Sequence, residues 1–234
     1  TVTSGDSLIL VGGCNNEQKL RSVLSLHLDR ESGKPVLKSL PSLPRSVDNM
    51  GVCLSDTRLF VVGGNQDGRP SAAVLSLEIG KDAAWKNVTS KKDAAKKLAS
   101  AWKRETELIG EPRVQPVCVA YRGELYVWGG FYENGKSSLV ATSGLCYHPE
   151  SKSWTSLPAP RSSKGDELTL TGATAMLAVS PSGNPAIVCA GGVNKGIFWD
   201  AISGIYSMVA KPYYLKKDIS WYKFNDNLLV YSLN

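Results

Sequence analysis

The sequence predicts an all-β chain folded as a β-propeller, in which four-stranded antiparallel sheets stand around an axis like blades. Three observations carry this. A hydrophobic strand running directly into Gly-Gly recurs four times. In three copies a second apolar strand comes first, across a tight polar turn. A third strand and a shorter anchoring segment then follow the glycines. Four strands per unit, repeated at a roughly constant period, describe a propeller blade.

The glycine strands are SLILVGG ending at Gly13, RLFVVGG ending at Gly64, ELYVWGG ending at Gly130 and AIVCAGG ending at Gly192. Preceding strands begin near Val47, Val114 and Thr171, and the joining turns are SDTR, YRGE and SPSGNP. Such short polar connections between apolar runs predict hairpins. Third strands are expected at 22–28, 71–79 and 139–149, with FNDNLLVYSLN as the third strand of the fourth unit. The fourth segment is clearest in ESKSWTSLPAP, which holds Trp154; AAWKNV with Trp85 and PVLKSLPSLP fill the same place in the second and first units. Glycine suits the strand ends because a residue without Cβ both turns sharply and passes close to a neighbour. The overall pattern is that of a kelch-type β-propeller.

Units of about 50 residues leave two insertions. The first spans 89–111; within KKDAAKKLASAWK, Ala94, Ala95, Leu98 and Trp102 share a helical face and Asp93 precedes Lys97 by four positions. This predicts a short amphipathic helix held to the propeller edge by Leu98 and Trp102. The second spans 193–223 and is rich in aromatic residues, suited either to lining a ligand mouth or to covering one. Three nearly complete units and part of a fourth do not ordinarily close a ring, so a longer polypeptide is expected first, with a second chain or an unusual closure of a small propeller as the alternatives.

Composition narrows the function. The chain has 234 residues, 22 Gly and 12 Pro, and 27 basic against 21 acidic side chains, giving a net charge of +6. The excess is concentrated between Lys81 and Arg104, a stretch better read as a solvated surface than as a nucleic-acid patch. No apolar run approaches the length of a transmembrane helix. Cys14, Cys53, Cys118, Cys146 and Cys189 show neither CxxC nor zinc spacing, and the last four sit in predicted strands as small hydrophobic residues. With two His, no HExxH, no nucleotide-binding glycine loop and no GxSxG, zinc hydrolysis and serine-hydrolase chemistry are not expected.

Ligand groups in a propeller gather where loops from several blades converge, so candidates should recur in phase. Before the first strands stand Arg45, Asp48 and Asn49, then Glu111, Arg113 and Gln115, and less surely in phase Arg161 and Asp166. After the glycines stand Asn15, Asn65, Gln66, Tyr132, Glu133 and Asn194. Guanidinium and amide groups together suit a hydroxyl-rich ligand bearing a carboxylate. Arg45, Glu111, Arg113, Gln115 and Asn194 are the substrate-binding candidates. Structural duties compete: either arginine serves equally to cap a loop carbonyl or neutralise an acid, and Asn at a turn is favoured by its backbone.

The run EPRVQPVCVAYRGELYVWGGF, with Pro112, Arg113, Val114 and Gln115, together with AGGVNKGIF at 190–198, resembles the bacterial kelch-repeat, cyclically permuted mutarotases. The likeness extends from about residue 45 to the last residue. It implies a six-bladed propeller in the bacterial periplasm or outside the cell, interconverting the anomers of N-acetylneuraminate or a related sugar with neither cofactor nor metal. The family's acid/base candidates lie in a unit beyond the Val193-Asn194 segment, so no catalytic residue is assigned here. A noncatalytic kelch module binding glycan or protein is the alternative.

Overall fold

A computed structural model describes residues 1–15, 18–87, 89–134, 137–193 and 224–233. Four antiparallel sheets, packed face to face in chain order, form its body. The first blade contains Val2–Ser4, Ser7–Val11, Val23–Leu28 and Pro35–Leu40; the second Gly51–Ser55, Arg58–Val62, Val74–Glu78 and Trp102–Arg104. The third contains Val117–Tyr121, Glu124–Trp128, Gly144–His148 and Ser153–Leu157; the fourth Thr174–Val179, Pro185–Ala190 and Leu228–Ser232. The first strands of adjacent blades lie side by side and are therefore innermost.

The uninterrupted apolar runs have a simple cause: both faces of an interior blade are buried. In the second blade Leu59 and Val61 pack toward the first blade, while Phe60 and Val62 pack toward the third. In the third, Leu125 and Val127 face back toward the second and Tyr126 and Trp128 face the fourth. The fourth blade leaves Met176, Leu228 and Val230 exposed.

Two expectations change. The first blade gains its own opening strand, Val2–Ser4, too short and polar for the pattern to show. In the second blade the outer strand is Trp102–Arg104, while Trp85 lies in a 3-10 turn at Ala84–Lys86. Trp102 stands opposite Leu77, and Trp154 stands opposite Tyr147 at the equivalent place in the third blade. Their indoles do the same work: Trp102 Nε1 donates to Pro41 O at 2.9 Å and Trp154 Nε1 to Thr106 O at 3.1 Å. Each thus ties its blade to the segment leaving the previous one.

The predicted helix forms at Lys91–Ala99, capped by Ser90 Oγ accepting from Asp93 N and braced by the Asp93–Lys97 pair at 3.2 Å. It buries no residue and Leu98 is exposed; Trp102 belongs to the sheet, so the helix lies in the connection between the third and fourth strands.

Candidate functional site at the propeller mouth

Each second strand ends in its glycine pair, and there the segment entering the next blade crosses. Gly13 N donates to Val47 O at 3.0 Å, and Gly64 N to Arg113 O at 2.7 Å. A Cβ on Gly63 would stand 2.3 Å from Arg113 O, so the crossing itself demands glycine. Beyond the pair, the chain makes an extension that bonds to its own blade's entry segment: Asp48 pairs with Asn65, Val114 with Phe131 and Thr171 with Val193. These extensions form a layer on the mouth side.

Two residues before the first strand, each entry segment adopts a left-handed turn, at Asn49 (φ 52°), Gln115 (φ 57°) and Gly172 (φ 67°). They are linked from blade to blade. Gln115 N donates to Asn49 O at 2.6 Å and Gly172 N to Gln115 O at 3.2 Å. Gln115 Nε2 also donates to Asn49 Oδ1 at 3.2 Å. The in-phase recurrence expected of a propeller mouth therefore appears as a chain of amides. Beside it lies Asp48, fully buried, 3.6 Å from Lys19 Nζ of the first blade's extension. Three buried atoms in this layer have no hydrogen-bond partner among the described residues: Asn65 Nδ2, Gln115 Oε1 and Thr171 Oγ1. Leaving such a group unpaired costs about 1–3 kcal/mol, which makes them candidates for a ligand or a bound water.

The other sequence candidates divide. Arg113, the largest fully buried side chain, turns into its own blade, its guanidinium donating to Ser143 O at 2.8 Å, Ser143 Oγ at 2.9 Å and Gly129 O at 3.3 Å. Burial lowers its pKa, with the Glu111 charge acting in the opposite direction. As placed, it caps loop carbonyls, and a ligand carboxylate would reach it only by displacing these bonds. Glu111 is half-buried. Arg45 is exposed, 3.4 Å from Asp67, in a separate open groove of about 850 Å³ shared with Gln66, Arg69, Arg104 and Glu107. Asn15 Oδ1 accepts from Gln18 N in a turn. Arg161 pairs with Glu167 at 2.9 Å. Asn194 and the 194–223 segment lie outside the described residues, as does the Glu133 side chain.

Sequence reasoning missed Thr169, Thr171 and Asn225; Thr171–Gly172 precedes its strand at the same distance as Asp48–Asn49, whereas no spacing points to Asn225. Thr169 Oγ1 donates to Val193 O at 2.7 Å, and Asn225 Nδ2 donates to Thr169 O at 2.6 Å and Gly191 O at 2.8 Å. Buried thiols offer no nucleophile. Burial and the Glu124 charge push Cys146 up to about 12, and burial pushes Cys189 up to about 11.

The kelch motif family matches residues 112–161, from the Arg113 entry segment through the third blade's outer strand. The chain has the kelch-type β-propeller fold, with a kelch motif at residues 112–161. It is similar to N-acetylneuraminate epimerase of Yersinia enterocolitica, 36% identical over 105 residues, 44% of this chain and 24% of that protein. The same enzyme of Haemophilus influenzae is 37% identical over 68 residues, 29% of this chain and 18% of its own length. The matched stretches thus span about a quarter or less of these curated relatives. The solved structure of YjhT shares the fold with a TM-score of 0.52 at 22% identity, over 82% of this chain and 49% of that one.

Proposed function

We propose that this kelch protein takes part in mutarotation of a sialic-acid-type sugar, interconverting its anomers at the mouth layer. The observation that carries the reading is the in-phase Asn49–Gln115–Gly172 chain with unpaired polar atoms beside it. Amides and hydroxyls there suit a ligand made largely of hydroxyl groups. The similarity to proteins named N-acetylneuraminate epimerase supports the same substrate class.

Anomer exchange in such a ketose needs a proton delivered to the ring oxygen while the anomeric hydroxyl loses one. The ring opens, the planar carbonyl turns, and reclosure on the other face reverses both transfers. A general acid and a general base on opposite sides of the anomeric carbon perform this. In our reading the described mouth residues hold and orient the sugar, and the acid/base pair comes from elsewhere in the complete ring. A following blade would cover the exposed Met176, Leu228 and Val230 face. The same reading puts the protein in the periplasm or outside the cell.

Proton NMR of N-acetylneuraminate measures this directly. The protein should speed exchange between anomer signals, and Gln115→Asn, which keeps a left-handed turn but withdraws the amide, should slow it. Sugar binding without faster exchange would favour a noncatalytic glycan-binding module.

A further inference from the structure

A second polar cluster lies on the third blade at the end opposite the mouth. Antiparallel register places Tyr126 opposite Cys146 and Cys146 opposite Thr155, while Glu124 and His148 flank the adjoining Leu125–Tyr147 pair. Alternate residues share a sheet face, so the five side chains converge. Glu124 Oε1 is 2.7 Å from His148 Nδ1, and Cys146 Sγ is 3.8 Å from Glu124 Oε2. One donor atom from each of Glu124, Cys146 and His148 lies within 4.8 Å of the other two.

We propose that Glu124, Cys146 and His148 form a binding site for a borderline-soft divalent cation of the zinc class. The donor set, one carboxylate, one thiolate and one imidazole, is what such an ion takes. Its size fits as well. Tetrahedral bonds of about 2.0–2.3 Å separate ligand atoms by roughly 3.3–3.8 Å. Reaching that spacing requires opening the Glu124 Oε1–His148 Nδ1 contact by less than an ångström and closing the widest donor separation, at most 4.8 Å, by about an ångström.

The surrounding groups hold the ligands in suitable orientations. In this structure His148 Nδ1–H donates to Glu124 Oε1; on binding, the imidazole proton moves to Nε2, which donates it to Thr155 Oγ1 3.0 Å away and frees the Nδ1 lone pair for the ion. Tyr126 OH donates to Glu124 Oε2 at 2.9 Å and fixes the carboxylate. Cys146 is 3% exposed, whereas the His148 and Glu124 side chains are 29% and 38% exposed, which gives the ion an entrance from solvent and leaves its fourth position to water. On binding, the Cys146 S–H bond breaks, its proton passes to solvent and sulfur bonds to the ion. Carboxylate, thiolate and neutral imidazole around a divalent ion sum to zero charge.

Cobalt(II) titration of the protein in a Cys14→Ser background tests the site, since Cys14 is the exposed thiol. One equivalent should bind, with a near-ultraviolet thiolate-to-cobalt band that zinc abolishes by competition. Cys146→Ser should remove that band. His148→Ala and the gentler Thr155→Val, which keeps every ligand, should each weaken binding at least tenfold. Absence of cobalt binding to the folded protein would overturn the proposal. So would a thiolate band that persists in Cys146→Ser, or equal affinity in His148→Ala and Thr155→Val.

Discussion

The crossing of entry segments over the glycine pairs is best tested by comparing Gly63→Ala with Gly13→Ala. Both positions have positive φ, 63° and 95°, so each substitution carries the left-handed penalty of about 1–2 kcal/mol. Only Gly63 carries more. Its new Cβ would meet Arg113 O at 2.3 Å and Ser71 O at 3.3 Å, whereas nothing lies within 4 Å of the Gly13 position. Relief requires moving the third blade's entry segment away, which breaks the 2.7 Å Gly64 N–Arg113 O bond, worth about 1 kcal/mol net, and loosens the contact between blades. Gly63→Ala should therefore cost roughly 2–3 kcal/mol in all, about 1 kcal/mol more than Gly13→Ala. For a chain of this size that corresponds to a Tm lower by about 4–12 °C, against about 2–8 °C for Gly13→Ala. Differential scanning calorimetry on the two variants reads the difference. Equal losses would refute the close-approach argument and leave backbone strain as the whole reason for these glycines.

Three other outcomes follow from the same geometry. Arg113→Ala should cost about 3 kcal/mol in urea unfolding, because it leaves the Ser143 and Gly129 carbonyls unpaired in a sealed site; near-native stability would show that the guanidinium is not structural. Replacing residues 89–99 by a short polar linker should preserve the far-ultraviolet β signal, while extending the deletion through Arg104 should lower stability by removing an outer strand. Similar stability of the two deletions would contradict the assignment of Trp102–Arg104 to the second blade. Cys53 and Cys118 bring their sulfurs within 3.0 Å across the second and third blades. Refolding in oxidised glutathione, with the thiols accessible before the blades close, should join them and release two molecules of glutathione, and a peptide map of the unreduced protein should find this pair; a different pair would contradict the packing of the inner strands.

What was legible in the sequence was the local, repeated part. Gly-Gly after an apolar strand announces itself because the demand for a missing Cβ recurs at every crossing. Trp102 was harder. Trp85 sits in an equally plausible phase, and only register, which places Trp102 opposite Leu77, separates a strand anchor from a turn residue. Asn49 and Gln115 were visible as in-phase amides, yet Thr171 was not, since its position holds Asp48 in the second unit and Val114 in the third, so no residue type recurs there. Arg113 looked like a ligand arm because sequence reveals a guanidinium's chemistry but not its burial. Glu124, Cys146 and His148 have no motif spacing at all; antiparallel pairing alone turns their separation along the chain into adjacency.

The central claim is that the amide chain at the mouth serves a sugar undergoing anomer exchange. Proton NMR exchange rates for N-acetylneuraminate, measured with the complete protein and with its Gln115→Asn variant at matched folded concentration, test it most directly. The account predicts acceleration by the parent and a clear loss in the variant at a similar Tm. Absence of acceleration by the folded parent, or an unchanged rate in the variant, would contradict it.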